Sequence, residues 1–229
     1  MRHPSFPFYL PLLAVLLHSL LATHAFCENP HERWENTIKS FEQQDQRTFP
    51  EKQGVLFVGS SSIRMWDLGK SFPEKHYLNR GFGGSEIADC VYFADRIVLP
   101  YQPRTIVMYA GDNDIAGGKL PEQVLEDFQQ FVKLVHGKLS DTRIIFIAIK
   151  PSIARWKLVD KVRAANKLIQ DFASREELLE FVDVDTPMIG DDSKPRADLF
   201  RDDGLHLNDK GYELWTALVG KAIDPPTTE

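Results

Sequence analysis

This sequence predicts an α/β fold, a three-layer α/β/α sandwich around a parallel sheet. Two observations carry that prediction. Short apolar runs enriched in β-branched and aromatic residues recur along the chain, and amphipathic helical patterns fall between them. Strands that alternate with helices need crossover connections, which make neighbouring strands parallel, cover both faces of the sheet and turn right-handed.

Arg2 and His3 precede an apolar stretch from Leu10 to Ala22, which Pro11 and His18 interrupt and which is too short to span a bilayer comfortably. It reads as a signal peptide over residues 1–25, cleaved after Thr23-His24-Ala25, where small residues occupy the two positions that signal peptidase reads. That implies a secreted or periplasmic protein with no stable membrane span after cleavage; an uncleaved N-terminal anchor is the alternative. Phe26 makes His24-Ala25-Phe26-Cys27 a poor lipoprotein box.

Residues 26–53 read as an N-terminal helix and a connector. Asn29-Pro30 offers a cap and a proline for the first turn, Trp34, Ile38 and Phe41 recur at helical spacing, and a polar stretch runs from Gln43 to Gln53. The main domain then spans 54–223. Its strands are expected at Val55–Val58, around His76–Asn79, at Thr105–Tyr109, at Arg143–Ile149 and at Phe181–Val184. Its helices are expected from Ile63 to about Leu68, Glu86 to about Val98, Pro121 to about Leu139, Leu158 to about Ser174, and Asn208 or Asp209 to about Ala222. The tail 224–229, with Pro225-Pro226, reads as frayed and disordered.

Without residues 1–25, about 200 residues remain, a typical length for one domain with one sizeable core. The net charge of −6 becomes one unit more negative on cleavage, because Arg2 is the only Asp, Glu, Lys or Arg removed. That balance disfavours nucleic acid and anionic membrane as partners. In an exported chain Cys27 and Cys90 could join as a disulfide; two unpaired thiols, with Cys90 filling the core, are the alternative.

In open α/β sheets ligands bind beyond the carboxyl ends of the strands, and the chemically interesting residues fall there. Ser61, in Gly59-Ser60-Ser61-Ser62, sits on a strand-to-helix turn where its own N–H is free to meet an anion. Ser60 and Ser62 compete with it, and helix capping would explain all three serines. The run is not the Gly-x-Ser-x-Gly elbow, since Ile63 stands where the second glycine would be. Arg80-Gly81-Phe82-Gly83-Gly84-Ser85 lacks the spacing of a P-loop or a dinucleotide site, yet a glycine turn can aim one backbone N–H into a cleft. In Gly111-Asp112-Asn113-Asp114 a neutral amide at a strand end could donate to an oxyanion. The flanking carboxylates give no standard metal spacing and read instead as loop caps or supports for Asn113, so no metal is expected. Asp203-x-x-His206 lets a carboxylate reach Nδ1–H and leaves Nε2 for a serine; Asp202 is the competing carboxylate.

In order, Gly59-Ser60-Ser61-Ser62, Gly84, Gly111-Asp112-Asn113-Asp114 and Asp203-x-x-His206 resemble the four blocks of the SGNH hydrolase superfamily, the GDSL-like lipases and acylhydrolases. The likeness runs from about Val55 to Trp215. It implies a flavodoxin-like sandwich with a five-stranded parallel sheet. It also implies Ser61 as nucleophile, Asp203 and His206 as its partners, and an oxyanion hole made by Ser61, Gly84 and Asn113. One position departs from the family's Gly-Asp-Ser-Leu: Ser60 replaces the aspartate, which bears on loop support rather than on the nucleophile.

The implied activity is serine esterase chemistry through an acyl-serine intermediate, with no cofactor. With short loops and no lid-length insertion, the cleft should admit bulky alcohols carrying small acyl groups. Phe82, Trp66, Arg155 and Trp156 are candidates to stack on a sugar ring, though core packing would equally explain the aromatic ones. Acetyl esters of carbohydrates are therefore the first expectation for substrate. Short-chain lipid or lysophospholipid esters are the second, and a non-catalytic carbohydrate-binding domain is the reading from a different class.

Overall fold

The computed structural model describes Met1 and residues 29–224. The chain divides into two units, Met1–Pro30 and His31–Glu229, and every element named below belongs to the second. The expected signal peptide apart from Met1, Cys27 and all of the tail except Asp224 lie outside the described residues, as does any pairing of Cys27 with Cys90.

Among the described residues five strands, β1 (Val55–Gly59), β2 (Leu78–Gly81), β3 (Thr105–Tyr109), β4 (Arg143–Ile147) and β5 (Leu179–Val182), form one sheet in the order β2-β1-β3-β4-β5. Every pairing is parallel. Among the described residues eight α-helices flank it: α1 (Glu35–Arg47), α2 (Ser61–Arg64), α3 (Leu68–Ser71), α4 (Ile87–Ile97), α5 (Asp112–Ala116), α6 (Pro121–His136), α7 (Val159–Ala173) and α8 (Asp209–Ile223).

The strand period of two sorts the core into two layers. Leu56, Val58, Ile106, Met108, Ile144 and Phe146 meet α1, α4, α6 and α7 on one face. Val55, Phe57, Val107, Tyr109, Ile145 and Ile147 meet Ile63, Leu68 and the Tyr212, Trp215 and Val219 stripe of α8 on the other. Helix α1 is tied to this body by ionic contacts: buried Arg80 of β2 pairs with Asp45, and Arg96 of α4 binds Glu35 at 2.7 Å and Glu42 at 2.7 Å.

The expected elements are present with shifted ends. The single helix expected after β1 is two short ones, because the Asp67 carboxylate accepts from Lys70 N and starts α3 afresh. Strand β4 stops at Ile147 although Ala148 and Ile149 remain buried. Beyond it, the Asn166 side chain of α7 replaces a neighbouring strand, accepting from Ile149 N at 2.8 Å and donating to Ile149 O at 2.9 Å. Strand β2 begins two residues later than expected, and β5 begins and ends two residues earlier.

In this strand order the chain reverses its winding between β1 and β3, and a crevice opens there at the carboxyl ends. Gly59 makes the close approach possible. Its φ is +136°, and a Cβ would lie 1.9 Å from Tyr109 O, so only glycine lets the β1 end pass so near β3.

Candidate active site

Each strand end delivers one part of the site. Ser60 N donates to Tyr109 O at 2.9 Å and prolongs the β1–β3 pairing by one residue, after which the chain turns into α2 with Ser61 as its first residue. Ser60 and Ser62 are buried, their hydroxyls lack hydrogen-bond partners among the described residues, and neither side chain caps α2. Ser61 is half-buried and faces a cleft of about 660 Å³, so geometry separates the three serines.

Opposite Ser61 stands the loop that precedes α8. His206 Nε2 lies 3.1 Å from Ser61 Oγ, and Nδ1 lies 2.6 Å from Asp203 Oδ2. Asp203 Oδ1 accepts from the backbone of Leu205 and of His206, both at 2.9 Å, so the loop fixes its carboxylate from three donors. Hydrogen bonds from His206, first from its ring and then from its N–H, hold the Asp203 carboxyl well below the usual carboxylate range. Asp202 has no hydrogen bond to His206 among the described residues. Helix α8 anchors both sides: Asn208 caps it through Gly211 N and donates to Asp198 O and Phe200 O, while the Tyr212 hydroxyl donates to Ser62 O at 3.0 Å.

Gly84 and Asn113 line the same cleft. Gly84 has φ +77°, a conformation that exposes its N–H at little cost only for glycine. Among the described residues neither Ser61 N nor Gly84 N donates to a protein acceptor. Asn113 Nδ2 donates to Ser85 O at 3.0 Å, which leaves its second N–H for the cleft.

Behind Asn113 lies a buried charge cluster. Asp112 Oδ2 is 3.3 Å from Lys150 Nζ and 3.2 Å from Arg155 Nη1, and Lys150 also donates to the Tyr109 hydroxyl at 2.9 Å. Burial pushes the Asp112 carboxyl up, but the two cations more than offset it and hold it ionised. Burial lowers the ammonium pKa of Lys150, against the pull of Asp112. Asp114 faces away, accepting from Ile87 N at 3.2 Å and from Lys119 at 3.0 Å, with burial raising its carboxyl to about 6. The two carboxylates thus support the loop from opposite sides.

Of the four residues expected to touch a sugar, only Arg155 lines the cleft. Phe82 is 0% exposed, set edge-on to Trp34 and Phe93, and Trp66 is 2% exposed among Phe57, Tyr212 and Trp215. Both belong to the core: Phe82 N donates to Gly59 O at 2.8 Å just past β2, and the Trp66 indole N–H donates to Ser71 Oγ of α3 at 2.9 Å. Trp156 lies under the Arg163 guanidinium, 5.7 Å from it, and is not part of the cleft wall. The wall also includes Arg33, Trp34, Thr37, Arg64 and Leu205, which the sequence alone did not single out. Arg64, one helical turn after Ser61, was open to discovery by spacing; the others depend on how α1 and the α8 loop dock.

The sequence matches the profile of the GDSL-like lipase/acylhydrolase family over residues 59–214. A comparison with curated proteins gives no significant match. Among solved structures, a GDSL-like lipase from Bacteroides thetaiotaomicron VPI-5482 superposes with a TM-score of 0.70 at 20% identity, covering 86% of this chain and 98% of that one. A protein assigned as an acylhydrolase from Bacteroides fragilis NCTC 9343 gives 0.71 at 22% identity over 81% and 95%. A carbohydrate esterase family 3 protein from Talaromyces cellulolyticus gives 0.59 at 16% identity over 74% and 95%. At these identities the structural likeness is one of fold, whereas the profile match spans most of the chain. The chain therefore belongs to the GDSL-like lipase/acylhydrolase family, and by that membership it is a carboxylic ester hydrolase.

Proposed function

We propose that this is an exported serine esterase that removes small acyl groups, acetyl first among them, from carbohydrate hydroxyls. The observation that carries the chemistry is the Ser61–His206–Asp203 chain of 3.1 Å and 2.6 Å contacts at the floor of an open cleft. With Nδ1–H donating to Asp203, Nε2 accepts the proton of Ser61 as Oγ bonds to the ester carbonyl carbon. The carbonyl oxygen gains the electron pair and rests against the N–H groups of Ser61 and Gly84 and the free N–H of Asn113. As the tetrahedral species collapses, the alcohol leaves with the proton from His206 and the acyl group stays on Ser61. Water then attacks with His206 again as base, which releases the acid and restores the serine.

Substrate size and export rest on separate observations. An open cleft between short loops suits a bulky alcohol with a small acyl group, and a carbohydrate esterase shares the fold. Export rests on the pattern of residues 1–25; among the described residues no helix is long and apolar enough to cross a membrane. The test is a hydrolysis screen of acetylated glycans against p-nitrophenyl esters of increasing acyl length. Release of acetate from a glycan, with activity falling steeply beyond the shortest chains, supports the proposal. A preference for long chains moves the substrate to lipid, and no turnover of any ester, with Ser61 unlabelled by a fluorophosphonate, leaves a binding domain.

A further inference from the structure

The cleft wall is more basic than the chain that builds it. The protein carries a net charge of −6, yet among the described residues those that line the cleft include Arg33, Arg64 and Arg155 and no carboxylate, Asp203 lying behind His206. Arg155 is accounted for, since it binds Asp112 and Asn113. Arg33 and Arg64 are not: neither forms an ion pair among the described residues. They come from different parts of the chain, Arg33 from the turn before α1 and Arg64 from the end of α2, and both reach the Gly83–Gly84 turn. Arg33 stacks 3.6 Å above the Trp34 ring and its Nη2 is 3.4 Å from Gly84 O. Arg64 lies so close to Gly83 that a Cβ there would be 2.8 Å from its Nε. Glycine at this position leaves the room that the guanidinium occupies.

A single exposed arginine is cheaply left to water. Two that converge on one concave site repel each other, and an anion placed between them relieves that repulsion. Arginine is also the side chain whose planar donors match a carboxylate or phosphate in pairs. Resting on the esterase reading of this cleft, we propose that the substrate carries an anionic group, a carboxylate or a phosphate, held by Arg33 and Arg64 beside the ester. Acetate as the acyl group has no further ionisable group, so the charge belongs to the alcohol.

The experiment compares 3-acetoxybenzoate with its uncharged methyl ester, and 3-acetoxyphenyl phosphate with 3-acetoxyanisole, on the full protein. At low ionic strength kcat/KM for the anionic member of at least one pair is expected to exceed the neutral one by about tenfold, mainly through KM. The ratio is expected to shrink toward one in about 0.5 M salt. The double variant Arg33→Gln/Arg64→Gln is expected to lose most of the ratio, and Arg33→Lys/Arg64→Lys to keep part of it. The pair with the larger ratio identifies carboxylate or phosphate as the source of the charge. Equal kcat/KM within both pairs, unmoved by salt or by the double variant, overturns the inference while leaving the esterase in place. If no ester is turned over, the esterase reading has failed, and the anion site is read by calorimetric titration of 3-hydroxybenzoate, 3-hydroxyphenyl phosphate and methyl 3-hydroxybenzoate. Preferential, salt-sensitive binding of either anion then supports the inference, and its absence overturns that as well.

Discussion

Arg155 Nη2 donates to Oδ1 of Asn113 across 3.0 Å, and this contact decides which way the amide points. With Oδ1 claimed by a guanidinium that is itself held by Asp112, the two N–H groups of Asn113 must face Ser85 O and the cleft. The orientation needed for an oxyanion donor is thus imposed from behind.

Removing the donor tests this. Asn113→Ala is expected to lower kcat far more than it raises KM, by about 2.7–4 kcal/mol of transition-state stabilisation, because the amide meets a charge that exists only during reaction. Asn113→Asp should be at least as damaging, since it sets like charge against the oxyanion. A rise in KM at constant kcat would move Asn113 to ordinary substrate binding.

Arg155 acts through Asn113 on this account, so its loss should show in kcat for neutral esters. Arg155→Met is expected to reduce kcat roughly tenfold to a hundredfold with little change in KM for p-nitrophenyl acetate, on the scale of a misoriented catalytic group. Arg155→Lys should restore only part of this, because a lysine cannot bridge Asp112 and Asn113 with a planar fork. A purely structural role would instead lower the melting temperature and leave kcat of the folded fraction intact.

The three serines are separable. Ser61→Ala is expected to abolish ester hydrolysis and fluorophosphonate labelling with thermal stability near wild type, since the hydroxyl is half-exposed and carries little packing. Ser60→Ala and Ser62→Ala remove buried hydroxyls that have no partner among the described residues and should keep much of the activity. An inactive Ser60→Ala beside an active Ser61→Ala would relocate the nucleophile.

For pH, the sign follows from Asp203. Its pKa is lowered in the folded protein, so the carboxylate remains charged while an imidazole titrates, and the stability it lends is lost only as pH falls through its own low value. Through the hydrogen bond to Nδ1 the charged carboxylate keeps the His206 ring turned so that Nε2 faces the Ser61 proton. Asp203→Asn is expected to cut activity by orders of magnitude and to remove this part of the loss of stability in acid, because the charged partner that orients the imidazole is gone. Asp202→Asn should do neither.

Trp66 offers a contrast between packing and recognition. Trp66→Ala is expected to destabilise the fold by about 3–5 kcal/mol in denaturant titrations, the range for deleting a large core side chain. A change in KM for glycan esters without loss of stability would return Trp66 to the substrate.

Particular residues show what the sequence made legible. The alternation of Leu56, Phe57 and Val58, and the spacing of Val124, Phe128, Phe131 and Val135, carry the sandwich in local periodicity, and both pack as expected. The local pair Asp203 and His206 could be matched by spacing because three residues set their contact. Phe82 and Trp66 could not be placed, because an aromatic beside a site looks the same in sequence whether its ring points in or out. Arg33 was invisible for a related reason: its place at the cleft depends on how α1 docks through Asp45 and Arg80, which no local pattern encodes.

The hydrogen bond between His206 and Ser61 joins residues 145 positions apart. Contacts of that span form only after the intervening chain has closed its loops, and they make folding slow compared with local structure. Ester turnover during refolding should consequently lag behind the return of helical circular dichroism. Removing α8 should silence the protein even though Ser61, Gly84 and Asn113 all precede it, because Tyr212 would no longer hold Ser62 and the His206 loop would lose its anchor. Hydrolysis of a chromogenic acetate would then serve as a reporter of the completely assembled chain, useful for following proteolytic nicking or refolding yield where spectroscopy sees only secondary structure.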